Sequence, residues 1–441
     1  MTKADSAGVA QKTDRYSWYV LAILTLVYTF NFVDRQIIAI VSPAIKAELG
    51  LSDSMLGLLK GLAFAFLYTL LGIPIAWLAD RWNRVNIVGI SLAVWSAFTA
   101  LSGLAANATQ LALARVGVGI GEAGGSPPSH SIISDYFPKE KRSTALSLYS
   151  LGIPLGQMIA FLGGGWILEN LGWRNAFYAV GVPGIILALV LKLTVREPIR
   201  GAKDAGTSGA GASDTRAPAA PIPFRQGVST LLAIPSFWGL LVGATAASFT
   251  GYGVGMWAVD FFHRTYHLSY QEITIPLGLL NGIAYSVGTF LGGYLTDRFG
   301  KTDKGAYAWL PALGMLLTIP VGVLQLWSPT PFWAFVWVAP FLIGLGMYLG
   351  PTFALVQTLA PPTMRAFAIA FMFFILNIIS LGLAPIWVGG ISDIFAERFG
   401  EVTGLRIALT TLALSSLLSV AAFMWTAKKL PADWARATQD A

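Results

Sequence analysis

Long apolar runs recur from one end of the chain to the other, separated by short polar stretches. A membrane-crossing helix needs about 20 mostly apolar residues to cover ~30 Å of hydrocarbon. The pattern predicts twelve such spans, at 17–44, 54–79, 86–106, 109–133, 143–168, 174–194, 236–260, 272–296, 306–327, 332–358, 364–392 and 404–427. Helices are the spanning structure these runs allow, because backbone polar groups in lipid must be satisfied within their own segment. A transmembrane barrel needs alternating strands of ~10 residues, whereas these runs are continuous and two to three times longer.

The longest polar stretch, about 196–226, is rich in Gly, Ser and Pro and reads as a flexible linker. It divides the chain into an N-terminal tail (1–16), a six-helix bundle (17–195), a linker (196–234), a second six-helix bundle (235–427) and a C-terminal tail (428–441).

Composition narrows the class. Of 441 residues, 55% are hydrophobic and 12% charged. Soluble domains carry roughly 25% charged residues, so most soluble enzymes, secreted disulfide scaffolds and disordered chains are excluded. With no cysteine, disulfides and thiolate metal sites are excluded as well. The net charge of +7 reports loop topology, not a nucleic-acid partner. With the N-terminus inside, 21 of the 29 Lys and Arg fall on cytoplasmic segments, six on the opposite side and two, Arg35 and Arg115, within spans. Both termini are therefore expected in the cytoplasm, and the protein in the inner membrane. The first 15 residues are polar and the first apolar run is too long for a signal-peptide core, so no cleavable signal is expected.

The two halves echo one another. Ala76-Trp-Leu-Ala-Asp80-Arg81-Trp-Asn83-Arg84 follows the second span, and Gly293-Tyr-Leu-Thr-Asp297-Arg298-Phe-Gly300-Lys301 follows the eighth, at an offset of 217. Pro138-Lys-Glu-Lys-Arg142-Ser-Thr-Ala145 parallels Pro361-Pro-Thr-Met-Arg365-Ala-Phe-Ala368 at an offset of 223. Two echoes at corresponding loops argue for duplicated halves, the layout of transporters that rock one half against the other.

The Asp-Arg loops after spans two and eight, with Gly172-Trp173-Arg174-Asn-Ala-Phe177 entering span six, resemble the major facilitator superfamily over nearly the whole chain. The first loop departs from that pattern, with Ala76 and Asn83 where glycines are usual; Ala still permits close packing, and Asn tolerates a left-handed turn. Asn31-Phe-Val-Asp34-Arg35, Arg115-Val-Gly-Val-Gly-Ile-Gly121-Glu122-Ala123 and Ser134-Asp135-Tyr-Phe-Pro138 with Arg142 are similar to the Spinster branch. The resemblance implies an all-α membrane protein of two pseudo-symmetric six-helix bundles, working as a monomer without cofactors. It also implies lysophospholipid or sphingosine-phosphate export. Carriers of small organic anions and sugar acids share a similar first span, and remain the alternative.

A charge at the bilayer centre costs at least ~2.5–3.5 kcal/mol even on permissive scales. The first half places four there: Asp34, Arg35, Arg115 and Glu122. The second half shows none comparably deep, with Asp260 and Asp393 at span ends. Arg115 and Glu122, seven residues apart, share a helix face about 10 Å apart along the axis. Gly117, Gly119 and Gly121 lie between them and permit close approach of a neighbour. The resemblance brings Asp34 of span one toward the same cavity. Arg115 is expected to hold an anionic head group, its guanidinium suiting bidentate contact with phosphate or carboxylate. Asp34 and Glu122 are expected proton carriers, because burial favours a neutral carboxyl and a nearby Arg an ionised one. Arg35 and Asn31 are further candidates for substrate contact. The alternative is a permanent ion-pair cluster that only fixes helix register.

The resemblance also makes Asp80 a gating residue that faces the start of span eleven across the halves. A carboxylate at a helix N-terminus is stabilised by ~0.3–1 kcal/mol. Arg81, Arg84, Asp135, Arg142 and Asp297 are expected to extend that gate. The second half is otherwise aromatic and apolar, with Tyr252, Tyr285 and Asn377 as candidate cavity contacts. Charge on one side and apolar surface on the other suit an amphipathic substrate, with protons as co-substrate. An intramembrane enzyme would need a nucleophile–base pair or a metal cluster. Only His130, His263 and His267 are available as histidines, and no metal-ligand spacing or phosphate loop is evident.

Overall fold

The computed structural model describes residues 14–79, 81–200, 224–361 and 364–439. Asp80, most of the expected linker and the outer parts of both tails lie outside the described residues.

Among the described residues, twelve helical rods follow the apolar runs. Span 1 is Arg15–Leu49; span 2 is Asp53–Lys60 continued by Leu62–Ala79; span 3 is Arg84–Ser102. Span 4 is Ala108–Glu122 followed by Ser126–Tyr136, span 5 Lys139–Ser150 followed by Gly152–Leu171, and span 6 Trp173–Thr194. In the second half, span 7 is Pro235–Tyr266, span 9 Ala306–Leu326, span 10 Pro331–Gly346 with Leu349–Leu359, and span 12 Glu401–Gln439. Spans 8 and 11 each contain a π turn. Span 8 runs Tyr270–Leu280, Asn281–Tyr285, Ser286–Phe299, and span 11 runs Arg365–Leu376, Asn377–Leu383, Ala384–Phe399. Among the described residues there is no strand.

Among the described residues, ten helices are long and apolar enough to cross a membrane alone. An eleventh qualifies when Arg225–Leu232 is joined to Pro235–Tyr266 across a 97° bend. The remaining rod, span 4, carries Arg115 and Glu122 and is broken at 123–125. Such a rod depends on neighbours to shield its charges.

Spans 1–6 pack into one bundle and spans 7–12 into another. Alternating directions bring residues 14 and 439 to one face of the molecule, here the near face; the opposite one is the far face. Small residues set the packing distance within each bundle. A methyl added at Gly181 or Gly184 would run into Ser96 of span 3, and one at Gly288 or Gly292 into the backbone of span 10. Without a hydrophobic force between helices in lipid, this close fit is a main source of cohesion. The bundles meet where span 2 lies on span 11, span 5 on span 8, and span 1 on span 7.

Candidate functional site

The four mid-span charges of the first half form two pairs. Asp34 accepts a hydrogen bond from Arg115 Nη1 at 3.2 Å through one oxygen, and from the Thr99 hydroxyl of span 3 through the other. Arg35 donates from Nε to Glu122 Oε2 at 2.7 Å. Adjacent residues on span 1 thus reach opposite ends of the seven-residue stretch on span 4. Asp34 and Arg35 point in different directions because each helical residue turns by ~100°.

Local sequence makes this approach possible. A methyl at Gly119 would strike the carbonyl of Phe64 on span 2, and one at Gly121 would strike the backbone of Trp95 on span 3. Span 4 is therefore drawn close against both neighbours. The Phe64 ring lies below both guanidinium groups, 5.3 Å from that of Arg35 and 5.4 Å from that of Arg115. Tyr68 takes Arg35 at 4.5 Å on another side. Such cation–π contacts help replace lost hydration.

The pairs differ in access. Both side chains of the Asp34–Arg115 pair are 1% exposed. Arg35 keeps 15% of its side chain exposed, while Glu122 keeps none. Among the described residues, Glu122 Oε1 and Asn31 Oδ1 are buried without a hydrogen-bond partner. Tyr252 and Tyr285 of the second half are half-buried. Tyr348 shares a 2.8 Å hydrogen bond with Ser248. Asn377 is half-buried at the start of the span 11 π turn. Tyr68 and Thr99 did not stand out in the sequence, where each is one aromatic or hydroxyl residue among many in apolar runs.

The near-face residues make contacts within the first half. Arg84 bonds Asp135 at 2.5 Å, Glu197 at 2.7 Å and the Ser131 hydroxyl at 2.7 Å. Arg81 lies on the Trp77 ring, 3.9 Å from its centre. Arg142 bonds the carbonyl of Ser134 at 2.7 Å. Asp297 is exposed, and Asp80 is outside the described residues.

The far face contradicts one sequence expectation. Asp260 is fully buried, so the second half does hold a deep charge. It meets Lys60 of span 2 at 2.6 Å, with neither side chain exposed, and accepts the Ser42 hydroxyl at 2.6 Å. Lys60 Nζ also sits 3.8 Å from the centre of the Trp257 ring. Asp53 takes both arms of Arg264 at 2.7 and 2.8 Å, Lys46 at 2.9 Å and the Ser392 hydroxyl at 2.6 Å. These contacts join the two bundles. In one dimension Lys60 and Asp260 look like charges at span ends; the partner that allows their burial comes from the other half.

A sequence profile of the Major Facilitator Superfamily matches residues 24–385. The chain belongs to the major facilitator superfamily. This facilitator is 32% identical to an MFS-type efflux pump of Mycolicibacterium smegmatis, covering 94% of this chain and 93% of that protein. It is 27% identical to human protein spinster homolog 1, over 95% of this chain and 82% of the relative. A probable L-galactonate transporter of Escherichia coli is 27% identical over 67% of this chain and 65% of its own. Among solved structures, a bacterial homologue to the human lysosomal transporter Spinster, inward-facing and unoccupied, matches with TM-score 0.86 and 32% identity. That match covers 96% of this chain and 99% of the other. The facilitator is thus a transporter, not an enzyme, related to Spinster proteins and to sugar-acid carriers.

Proposed function

We propose that this facilitator couples proton movement to the transport of an amphipathic anion, of the lysophospholipid or sphingosine-phosphate class, by alternating access. The observation that carries this reading is Arg35, which among the four mid-span charges of the first half keeps 15% of its side chain exposed, while its partner Glu122 has a buried oxygen without a hydrogen-bond partner. A proton on that oxygen neutralises Glu122 and releases Arg35. The guanidinium is then free for a phosphate or carboxylate head group. One proton and one negative charge enter together, so the net charge of the buried site is unchanged. Asp34 is the second proton-coupling carboxylate, and Arg115 holds it in place instead of meeting substrate first. Asn31, Tyr252, Tyr285 and Asn377 supply polar contacts, and the apolar second half receives the chain.

Both termini lie in the cytoplasm by the distribution of Lys and Arg, and the inner membrane is the site of action. The far face is then the outer one, and its ion pairs hold the protein shut there and open to the cytoplasm. Asp80, Arg81, Arg84, Asp135, Arg142 and Asp297 close the near face in the other state. The protein acts as a monomer.

Transport into proteoliposomes under an imposed pH gradient tests the reading, with lysophospholipid and galactonate compared. Gradient-driven lysophospholipid movement lost in Glu122→Gln supports it. Galactonate carried without lipid would favour the sugar-acid reading, which the Escherichia coli relative supports.

A further inference from the structure

Spans 2 and 8 begin alike at the far face. Ser52 caps span 2 by accepting from Met55 N at 3.2 Å, and Ser269 caps span 8 by accepting from Glu272 N at 3.3 Å. Each serine satisfies the third backbone N–H of its helix and leaves earlier ones without a partner inside the helix. In span 2 both of those earlier groups, and in span 8 one of them, are taken by a carboxylate from the opposite bundle. Asp393, near the end of span 11, accepts from Asp53 N at 2.9 Å, Ser54 N at 2.8 Å and the Ser54 hydroxyl at 2.5 Å. Glu169, near the end of span 5, accepts from Gln271 N at 2.9 Å.

The two contacts are copies. Ser52 and Ser269 are 217 residues apart, as are Ser54 and Gln271; Glu169 and Asp393 are 224 apart. Each acid ends the same short pattern: Gly165-Trp-Ile167-Leu-Glu169 and Gly389-Gly-Ile391-Ser-Asp393. The glycine one turn before each acid is where the bundles touch. A methyl at Gly165 would collide with the Thr274 side chain of span 8, and one at Gly389 with the Asp53 carbonyl of span 2. Beyond the acids both helices end on a glycine at φ +83°, Gly172 and Gly400, in the left-handed half of backbone space that favours glycine. A repeated Gly-x-Ile-x-acid, placed twice against a serine-capped helix start in the other half, is a device and not a chance contact.

We infer that Glu169 and Asp393 are paired latches of the far face: carboxylates that hold the starts of spans 8 and 2 in the closed state and release both when the bundles rock apart. They are positioning residues for transport, acting on the conformational equilibrium and not on the cargo. The charge of each acid meets the partial positive end of a helix, an interaction available only while the bundles are in contact. The latches are unequal. Asp393 is half-buried and makes three bonds, whereas Glu169 is exposed and makes one. Most of the hold therefore comes from span 11 on span 2.

The absence of native cysteine makes the test clean. Spin labels at Leu104 and Phe332 report the far face, and labels at Leu193 and Phe299 the near face; all four are exposed. In the full-length protein in lipid nanodiscs, Asp393→Asn is expected to raise the ratio of far-open to far-closed molecules about 5- to 30-fold, the scale of losing a helix cap. Far-face distances lengthen and near-face distances shorten. Glu169→Gln is expected to do the same more weakly, and the double variant more strongly. Asp393→Glu, which keeps the charge, restores the parent distribution. If Asp393→Asn does not fold, the exposed Glu169→Gln carries the test alone. Far-face distances unchanged in the double variant, or both faces broadening together, would overturn the inference, because a merely structural contact does not move the two faces in opposite directions.

Discussion

Lys60 and Asp260 meet at 2.6 Å across the boundary between the two bundles, and neither side chain touches solvent. Removing one charge strands the other in a low-dielectric seam, which typically costs about 3–5 kcal/mol, whereas replacing both with apolar groups is often neutral. Lys60→Met and Asp260→Leu are each expected to lower thermal stability markedly in detergent. The double variant should recover most of the loss. Equal and additive losses would show that the pair is not the source.

The unoccupied oxygen of Glu122 makes a prediction about pH. Glu122→Gln resembles the protonated carboxyl, so Arg35 is permanently free in that variant. Anion binding is expected to become insensitive to pH while remaining measurable, and gradient-driven transport to fall to the background level. Binding measured by tryptophan fluorescence between pH 5 and 8 checks this. A variant that keeps the parent's pH profile would place the proton elsewhere.

Arg35 and Arg115 share the Phe64 ring but are expected to fail differently. Arg35→Ala removes the accessible cation and should weaken binding of an anionic lipid about 10- to 100-fold, the scale of a lost charged hydrogen bond. Arg115→Ala leaves Asp34 buried with only the Thr99 hydroxyl among the contacts described above, and should mainly lower stability. Comparing binding titrations with thermal unfolding for the two variants separates these roles.

Gly119 faces the Phe64 carbonyl with no room for a methyl group. Gly119→Ala is expected to push span 4 off span 2, at a cost of about 1–3 kcal/mol. It also displaces Arg115 and Glu122 from their partners. Loss of transport should accompany loss of stability here, unlike in Glu122→Gln.

Much of this molecule is legible in one dimension, for identifiable reasons. The spans are readable because lipid demands continuous apolar length, and Asp34, Arg35, Arg115 and Glu122 stand out because nothing else in those runs is charged. The pairing of the four was not readable. Spacing put Arg115 and Glu122 on one helix face, but which of them takes Asp34 depends on how span 1 is rotated against span 4. Lys60 was hidden for another reason: a lysine near a span end looks solvated unless Asp260 is known to arrive from 200 residues away. The Gly-x-Ile-x-acid echo was in plain view, but it is shorter than the repeats around Asp80 and Asp297.

The matched latches have the geometry of an isologous interface, in which one surface carries both members of each contact and meets a copy of itself. A single half of this chain holds an acid at the end of one helix and a serine-capped start on another, each the complement of what its counterpart offers. Two separate copies of such a half would meet by the same pair of bonds. The covalent join therefore need not create the interface; it fixes the stoichiometry of two surfaces already made for each other, and leaves each half free to diverge.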